Sequence, residues 1–312
     1  MKIAVVGATG RIGAKLTRKL LSAGHQVKAL SRGGASLDAL VTEGAQPVIG
    51  SFDTGAGDLD KIFQDVEAAF LMVKTDWSNP HGHYPVVARR FVDALKDSPV
   101  KHAVSLTAIG SDVRGDTGHF EGFYHLDEAL NGLKTIDLVH LRAGWFMENL
   151  LVWTGAVARH GGIGWSLDPT LKTPWVAIGD IADLAARDLT RPTGEHRLIR
   201  EVGSEDLTMP EIAALMSREI GRPVEYRFVD RARTDIKAEY LNRFGAEANW
   251  LDDNQTLDAL NSGRVRFHGE RVPLPTRMED FIRDSWKPKY LQSVADEHEP
   301  ETFQTWSSKA GI

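Results

Sequence analysis

Apolar and polar positions alternate along this chain in two periods. Residues 2–6 form an apolar run behind one lysine, which predicts a buried strand. Over residues 11–23, Ile12, Leu16 and Leu20 fall on one face and Lys15, Arg18 and Lys19 elsewhere. That spacing predicts an amphipathic helix, with Gly24 as its C-cap. Short apolar runs at 27–30, 47–49, 68–73, 102–106 and 136–141 predict further strands, and Val87, Phe91, Ala94 and Leu95 mark another helix face.

Strand–helix alternation of this kind predicts an α/β fold with a Rossmann-type doubly wound parallel sheet, covered by helices on both faces. The second half reads differently: a helix over 146–157, a strand over 175–178, helices over 180–189 and 209–220, and a strand over 224–228. No composition shift marks a linker, and no segment repeats. The expected organisation is a Rossmann core over residues 1–150. A smaller C-terminal substrate-side lobe is expected over 151–312, with some strands and helices returning to the core.

Composition narrows the class. The 312 residues are 42% hydrophobic and 26% charged, ordinary globular values that support a sizeable core. The net charge of −6 and the lack of a basic run argue against a nucleic-acid binder. With no cysteine, disulfides, thiolate catalysis and cysteine-based metal sites are excluded. No apolar run is long enough to predict a membrane span, and the first residues read as a strand rather than a signal peptide. A soluble, cytoplasmic protein is expected.

Between the first strand and the first helix lies Gly7-Ala8-Thr9-Gly10-Arg11-Ile12-Gly13. There a helix N-terminus offers free N–H groups and positive dipole character to a pyrophosphate. The glycines give a tight turn (Gly7), close backbone approach (Gly10) and close helix–sheet packing (Gly13), and Thr9, Arg11 and Ile12 complete the loop. The second strand ends in Ser31-Arg32 rather than in the acidic residue that binds a ribose 2′-hydroxyl. Arg32, with Arg11 from the other side, suits a 2′-phosphate, so the expected cofactor is NADP(H). Asp53 is a candidate for the adenine amino group, with loop capping as the equal alternative. Val73, Lys74 and Thr107 fall on the sheet's carboxyl edge, where such folds hold their ligand.

Other signals carry less. His81-Gly82-His83 resembles a metal pair but has no third ligand at suitable spacing, so no metal is expected. Asp180 and Asp183 suit helix capping. Ser105 lacks a nucleophile elbow. Glu148 and Asn149 suit either a ligand or a first helical turn, and residues 296–299 an acidic solvated face.

The loop, the Ser31-Arg32 pair and the stretch Leu141-Arg142-Ala143-Gly144-Trp145-Phe146-Met147-Glu148-Asn149 together resemble the NmrA-like family of atypical short-chain dehydrogenases. Also similar are Thr173-Pro174-Trp175-Val176-Ala177-Ile178-Gly179-Asp180-Ile181-Ala182 and the segment from Leu207-Thr208 to Gly221-Arg222-Pro223-Val224. The resemblance implies a Rossmann domain, a small carboxyl-terminal lobe and a pocket between them. It also implies one of two functions. Some members are NADPH-dependent reductases of quinones or of phenylpropanoid double bonds; others bind NADP and act as redox-sensing regulators through protein partners.

The proton donor bears on that choice. Short-chain dehydrogenases use Tyr-x-x-x-Lys, yet none of Tyr84, Tyr124, Tyr226, Tyr240 and Tyr290 has a lysine four residues on. Tyr124 is nearest by position, with Glu128 in the lysine place, and His125 beside it suits proton donation near neutral pH. Tyr124 and His125 are therefore the candidate catalytic residues. Hydride transfer to a stacked quinone asks mainly for proximity, so the absent lysine argues against ketone chemistry more than against quinone chemistry. The expected pocket wall is aromatic, drawn from Phe120, Phe123, Trp145, Phe146, Trp165 and Trp175, two or three of which should line it, with the first four as the leading candidates. The leading expectation is an NADPH-dependent oxidoreductase acting on a small flat acceptor, and the alternative is an NADP(H)-sensing regulator with a protein partner. A homo-oligomer fits either.

Overall fold

The computed structural model describes residues 1–53, 56–76, 79–232, 237–238 and 247–296. Seven parallel strands form the central sheet: β1 (Lys2–Val6), β2 (Gln26–Ser31), β3 (Gln46–Ile49), β4 (Ala68–Met72), β5 (His102–Ala108), β6 (Asp137–Ala143) and, far later in the chain, β10 (Arg197–Val202). Their order is β10-β6-β5-β4-β1-β2-β3. The chain winds outward from β1 to β3, returns to the other side of β1 as β4, and winds outward again. That reversal makes β1/β4 the topological switch point, where ligands of such sheets bind outside the carboxyl ends.

Each of the five inner strands feeds two cores by the two-residue period of its side chains. Ile3, Val5 and Phe70 pack with α1 (Arg11–Ser22), α2 (Ala35–Thr42) and α7 (Ile178–Thr190). Ala4, Val6 and Leu71 pack on the opposite face, with α3 (Ala56–Phe63), α4 (Pro80–Lys96) and α5 (Phe120–Leu130). A buried ion network fixes α5 against the sheet. The Arg142 Nε and Nη2 both donate to Asp127 Oδ2 at 3.1 Å, and His140 Nδ1 lies 2.9 Å from Asp127 Oδ1. Breaking such a pair leaves a buried charge uncompensated, so the network holds the helix in one rotation.

A third core joins the remaining elements. These are β7 (Trp145–Phe146), a 3-10 helix (Met147–Trp153), α6 (Thr154–His160), β8 (Gly162–Trp165), β9 (Thr173–Val176), β11 (Glu205–Leu207), α8 (Met209–Ile220) and β12 (Glu225–Phe228). After them come α9 (Glu247–Asn261), α10 (Met278–Phe281), one π turn (Ile282–Trp286) and α11 (Lys287–Ala295).

Three expectations change. The predicted helix over 146–157 begins as β7, because Trp145 and Phe146 pair with Trp175 and Val176 of β9, and it continues as a 3-10 helix before α6. The predicted strand over 175–178 ends at Val176, because Glu148 accepts from the Ile178 amide at 3.1 Å and 3.2 Å and starts α7 there. β10 was not predicted: as the sheet's edge strand it keeps Arg197 and Ile199 exposed, so it lacks an apolar run.

Candidate functional site

The carboxyl ends of β1, β2, β4, β5 and β6 open onto one cleft of about 890 Å³. It crosses four strand spacings, roughly 19 Å at ~4.8 Å each. Gly7, with φ +72°, turns the chain out of β1, and a Cβ there would meet Met72 Sδ at 2.9 Å. A Cβ on Gly13 would lie 2.1 Å from the Gly7 carbonyl oxygen, so this glycine sits behind the loop and lets α1 start against β1. Gly10 is the N-cap of α1, with no side-chain cap and no acid in the first turn. The first amides of a twelve-residue helix therefore face the cleft without a protein acceptor from a capping side chain.

At the β2 end, Thr9 Oγ1 and Ser31 Oγ lie 3.2 Å apart, and Gly33 N donates to Ser31 Oγ at 3.3 Å. Arg32 is exposed at the cleft edge and makes no hydrogen bond or ion pair among the described residues. Arg11 also lines the cleft, and burial holds its guanidinium below its usual range, opposed by nearby Glu148. Burial in turn pushes the Glu148 carboxyl up, against the hydrogen bond from Ile178 and the charges of Arg11 and Lys15. Asp53 borders the cleft but already accepts from Ser51 Oγ at 3.1 Å and lies 3.5 Å from His83 Nε2. His83 Nε2 also reaches the Lys74 carbonyl at 3.1 Å, so α4 braces both loops at this end. Uncapped amides, close-packed glycines and a free arginine suit a dinucleotide carrying a 2′-phosphate.

At the β5–β6 end the walls turn aromatic. Phe120, Phe123, Trp145 and Phe146 line the cleft, with Val73 and Thr107 on its floor. Trp165 packs edge-on against Trp145 at 5.0 Å between ring centroids, and Trp175 is core at 1% exposure, so these two form a second layer.

The candidate donors need correction. Tyr124 and His125 do not line the cleft. α5 turns about 100° per residue, so His125 points some 140° from Phe120, while Tyr124, about 40° from it, sits beside the cleft-facing stripe without lining the cleft. His125 lies 3.9 Å from Glu121 along the same helix with 38% of its side chain exposed, and the Tyr124 ring packs edge-on against it. The titratable side chain that does border this end is His119, at the N-cap of α5. Its Nδ1 lies 3.1 Å from Thr256 Oγ1 and 3.3 Å from Asp252 Oδ2, both on α9. No motif marks His119 in the sequence, and its partners come from a distant stretch. Thr75 is a cleft residue of the same unmarked kind, and Asn149, for which the sequence leaves a ligand contact or a first helical turn open, borders the cleft. Tyr84 is close by but fully buried, its phenol bonded to Thr75 Oγ1 at 2.8 Å and pushed up by burial. The His81 side chain, Tyr240 and residues 297–299 lie outside the described residues.

A family model described as the NmrA-like family matches residues 1–282. The chain belongs to the NmrA-like family. An NAD(P)H azoreductase from Xenophilus azovorans is 29% identical over 232 residues, covering 72% of this chain and 76% of that protein. Among solved structures, an NADPH-dependent quinone oxidoreductase from Escherichia coli complexed with NADPH superposes with a TM-score of 0.70 at 20% identity, over 99% of this chain and 100% of that one. NmrA, a negative transcriptional regulator in complex with NADP, superposes with a TM-score of 0.72 at 16% identity, over 96% and 98%. These two structures share the fold. One of them is named for a reductase and the other for a regulator, so the fold of this NmrA-like chain does not choose between those functions; its own cleft must.

Proposed function

We propose that this NmrA-like protein is an NADPH-dependent reductase whose acceptor is a small, flat, conjugated molecule, foremost a quinone. The observation that carries this reading is the continuity of the cleft: it runs from the glycine loop and Arg32 to four aromatic side chains without a break. A cofactor sensor needs the first half of that cleft and has no use for the second. The named azoreductase and quinone oxidoreductase among its relatives support the same reading.

The N-terminal amides of α1 hold the pyrophosphate, and Arg32 and Arg11 select the 2′-phosphate by charge-assisted hydrogen bonds. Phe120, Phe123, Trp145 and Phe146 stack on the acceptor, exclude water and fix its distance from the nicotinamide. The cofactor, when bound, supplies hydride. The chain's part is to hold donor and acceptor together and to provide a proton.

The test is steady-state oxidation of NADPH by the purified protein across a panel of benzoquinones, naphthoquinones and azo dyes. Turnover with at least one quinone is expected, and Trp145→Ala is expected to raise the quinone KM while leaving NADPH affinity unchanged. Tight NADPH binding without oxidation across the panel would overturn the reductase reading in favour of the NADP(H)-sensing regulator.

A further inference from the structure

The loop before α5 is pressed against α9 more closely than any side chain permits. Gly118, at φ +57°, lies where a Cβ would fall 2.1 Å from Thr256 Oγ1 and 2.3 Å from the Asp252 carbonyl oxygen. Asp252 and Thr256 are one helical turn apart and so share a face of α9. That face meets His119. The Asp252 side chain is wholly buried, while His119 keeps 18% of its side chain exposed and borders the aromatic end of the cleft.

The hydrogen-bond chemistry settles which ring nitrogen does what. Thr256 Oγ1 donates to the Thr117 carbonyl at 3.4 Å, which leaves its oxygen as an acceptor toward His119 Nδ1. A carboxylate only accepts. The Thr256 oxygen is therefore the acceptor at Nδ1, with the Asp252 carboxylate 3.3 Å from the same nitrogen as an ionic contact, so Nδ1 carries a hydrogen and Nε2 is the nitrogen assigned to the acceptor.

We propose that His119 is the proton donor to the reduced acceptor, and that Asp252 is the positioning residue that fixes its tautomer and orientation. This rests on the reductase reading above. Quinone reduction takes up two electrons and one hydrogen as hydride from the nicotinamide, which leaves one oxygen of the product as an anion. The His119 Nε2–H bond breaks as the O–H bond of the hydroquinone forms, and the ring recovers a proton from water. The net consumption is one quinone, one NADPH and one proton. The carboxyl-terminal stretch thereby acquires a role in the chemistry: α9 supplies the carboxylate behind the donor.

Other charges near His119 are engaged elsewhere. Glu121 on α5 faces His125 at 3.9 Å. Arg264, after α9, donates to the carbonyls of Gly115 and Asp116. Asp112 lies 3.8 Å from Arg142 and 3.5 Å from His268. Tyr84, whose phenol feels the Asp252 charge, is buried and neutral.

The experiment compares wild type, His119→Ala and Asp252→Asn in NADPH-dependent reduction of a soluble naphthoquinone, with NADPH affinity measured alongside as a check on folding. His119→Ala is expected to lower kcat about 100-fold, with NADPH affinity unchanged and activity partly restored by added imidazole. Asp252→Asn is expected to lower kcat less, with the quinone KM and NADPH affinity unchanged, because the ring loses the group that orients it. Wild-type turnover matched by His119→Ala would overturn the donor assignment and leave the reductase reading standing. An Asp252→Asn kcat equal to wild type, or a loss confined to KM, would overturn the positioning role. A wild type that oxidises no NADPH would overturn both the reductase reading and this inference.

Discussion

Arg32 stands where an NAD-specific site carries an acid, and it is an exposed guanidinium with no partner among the described residues. A hydrogen bond between charged groups contributes about 1.5–3 kcal/mol, or about 10- to 100-fold in affinity. Arg32→Ala is therefore expected to weaken NADPH binding by about that factor and to leave NADH binding nearly unchanged, which fluorescence titration of both cofactors will read. This end of the site was legible in the sequence, because Gly7 to Gly13 and Ser31-Arg32 are contiguous stretches at strand ends. The aromatic end was legible in type: Phe120, Phe123, Trp145 and Phe146 were singled out, and all four border the cleft. The proposed donor was not legible. Tyr124 and His125 were chosen by position in the chain; His125 turns from the cleft on α5, and neither side chain lines it. His119 has meaning only beside Asp252 and Thr256, which tertiary packing brings to it from the far side of the chain.

At the scale of elements, two contacts set the cleft's shape. The first is the start of α1 against β1. Gly13→Ala would push a methyl group to 2.1 Å from the Gly7 carbonyl oxygen, so the helix must shift from the turn that aims its amides. Overpacking of this kind costs about 1–3 kcal/mol, and the midpoint of urea unfolding is expected to fall accordingly, together with NADPH affinity. The second is Glu148 at the start of α7. Burial raises its pKa above the ordinary carboxylate value, so the folded protein favours its protonated form more than the unfolded chain does. The stability linked to that proton is present below the unfolded value and is lost as pH rises through the folded one. Relative to wild type, Glu148→Gln is thus expected to gain stability as pH rises above the ordinary carboxylate range. A difference that stays flat across a pH series of urea denaturations would contradict this. Strand and helix types were largely legible from apolar periodicity. β7 and the 3-10 helix were not, because a partner strand overrides the helical pattern of residues 146–157. Nor was β10, whose edge position lets it stay polar.

For the whole molecule, the parallel sheet and its switch point were predictable from strand–helix alternation, and the family resemblance from ordered motifs. The route by which residues 197–202 rejoin the sheet, and by which α9 reaches His119, was not, since neither leaves a local pattern. None of the described helices is long and apolar enough to cross a membrane. What the assembled molecule adds is one cleft with a cofactor-suited end and an acceptor-suited end. The claim at stake is that the cofactor is spent and not only held. A single-turnover mixing experiment tests it most directly: protein preloaded with one equivalent of NADPH is mixed with excess naphthoquinone, and the absorbance of the reduced cofactor is followed. The account predicts complete loss of that absorbance at a rate that saturates with quinone, with a primary isotope effect when the transferred hydrogen of NADPH is deuterium. Bound NADPH that persists unoxidised in the presence of the quinone would contradict it.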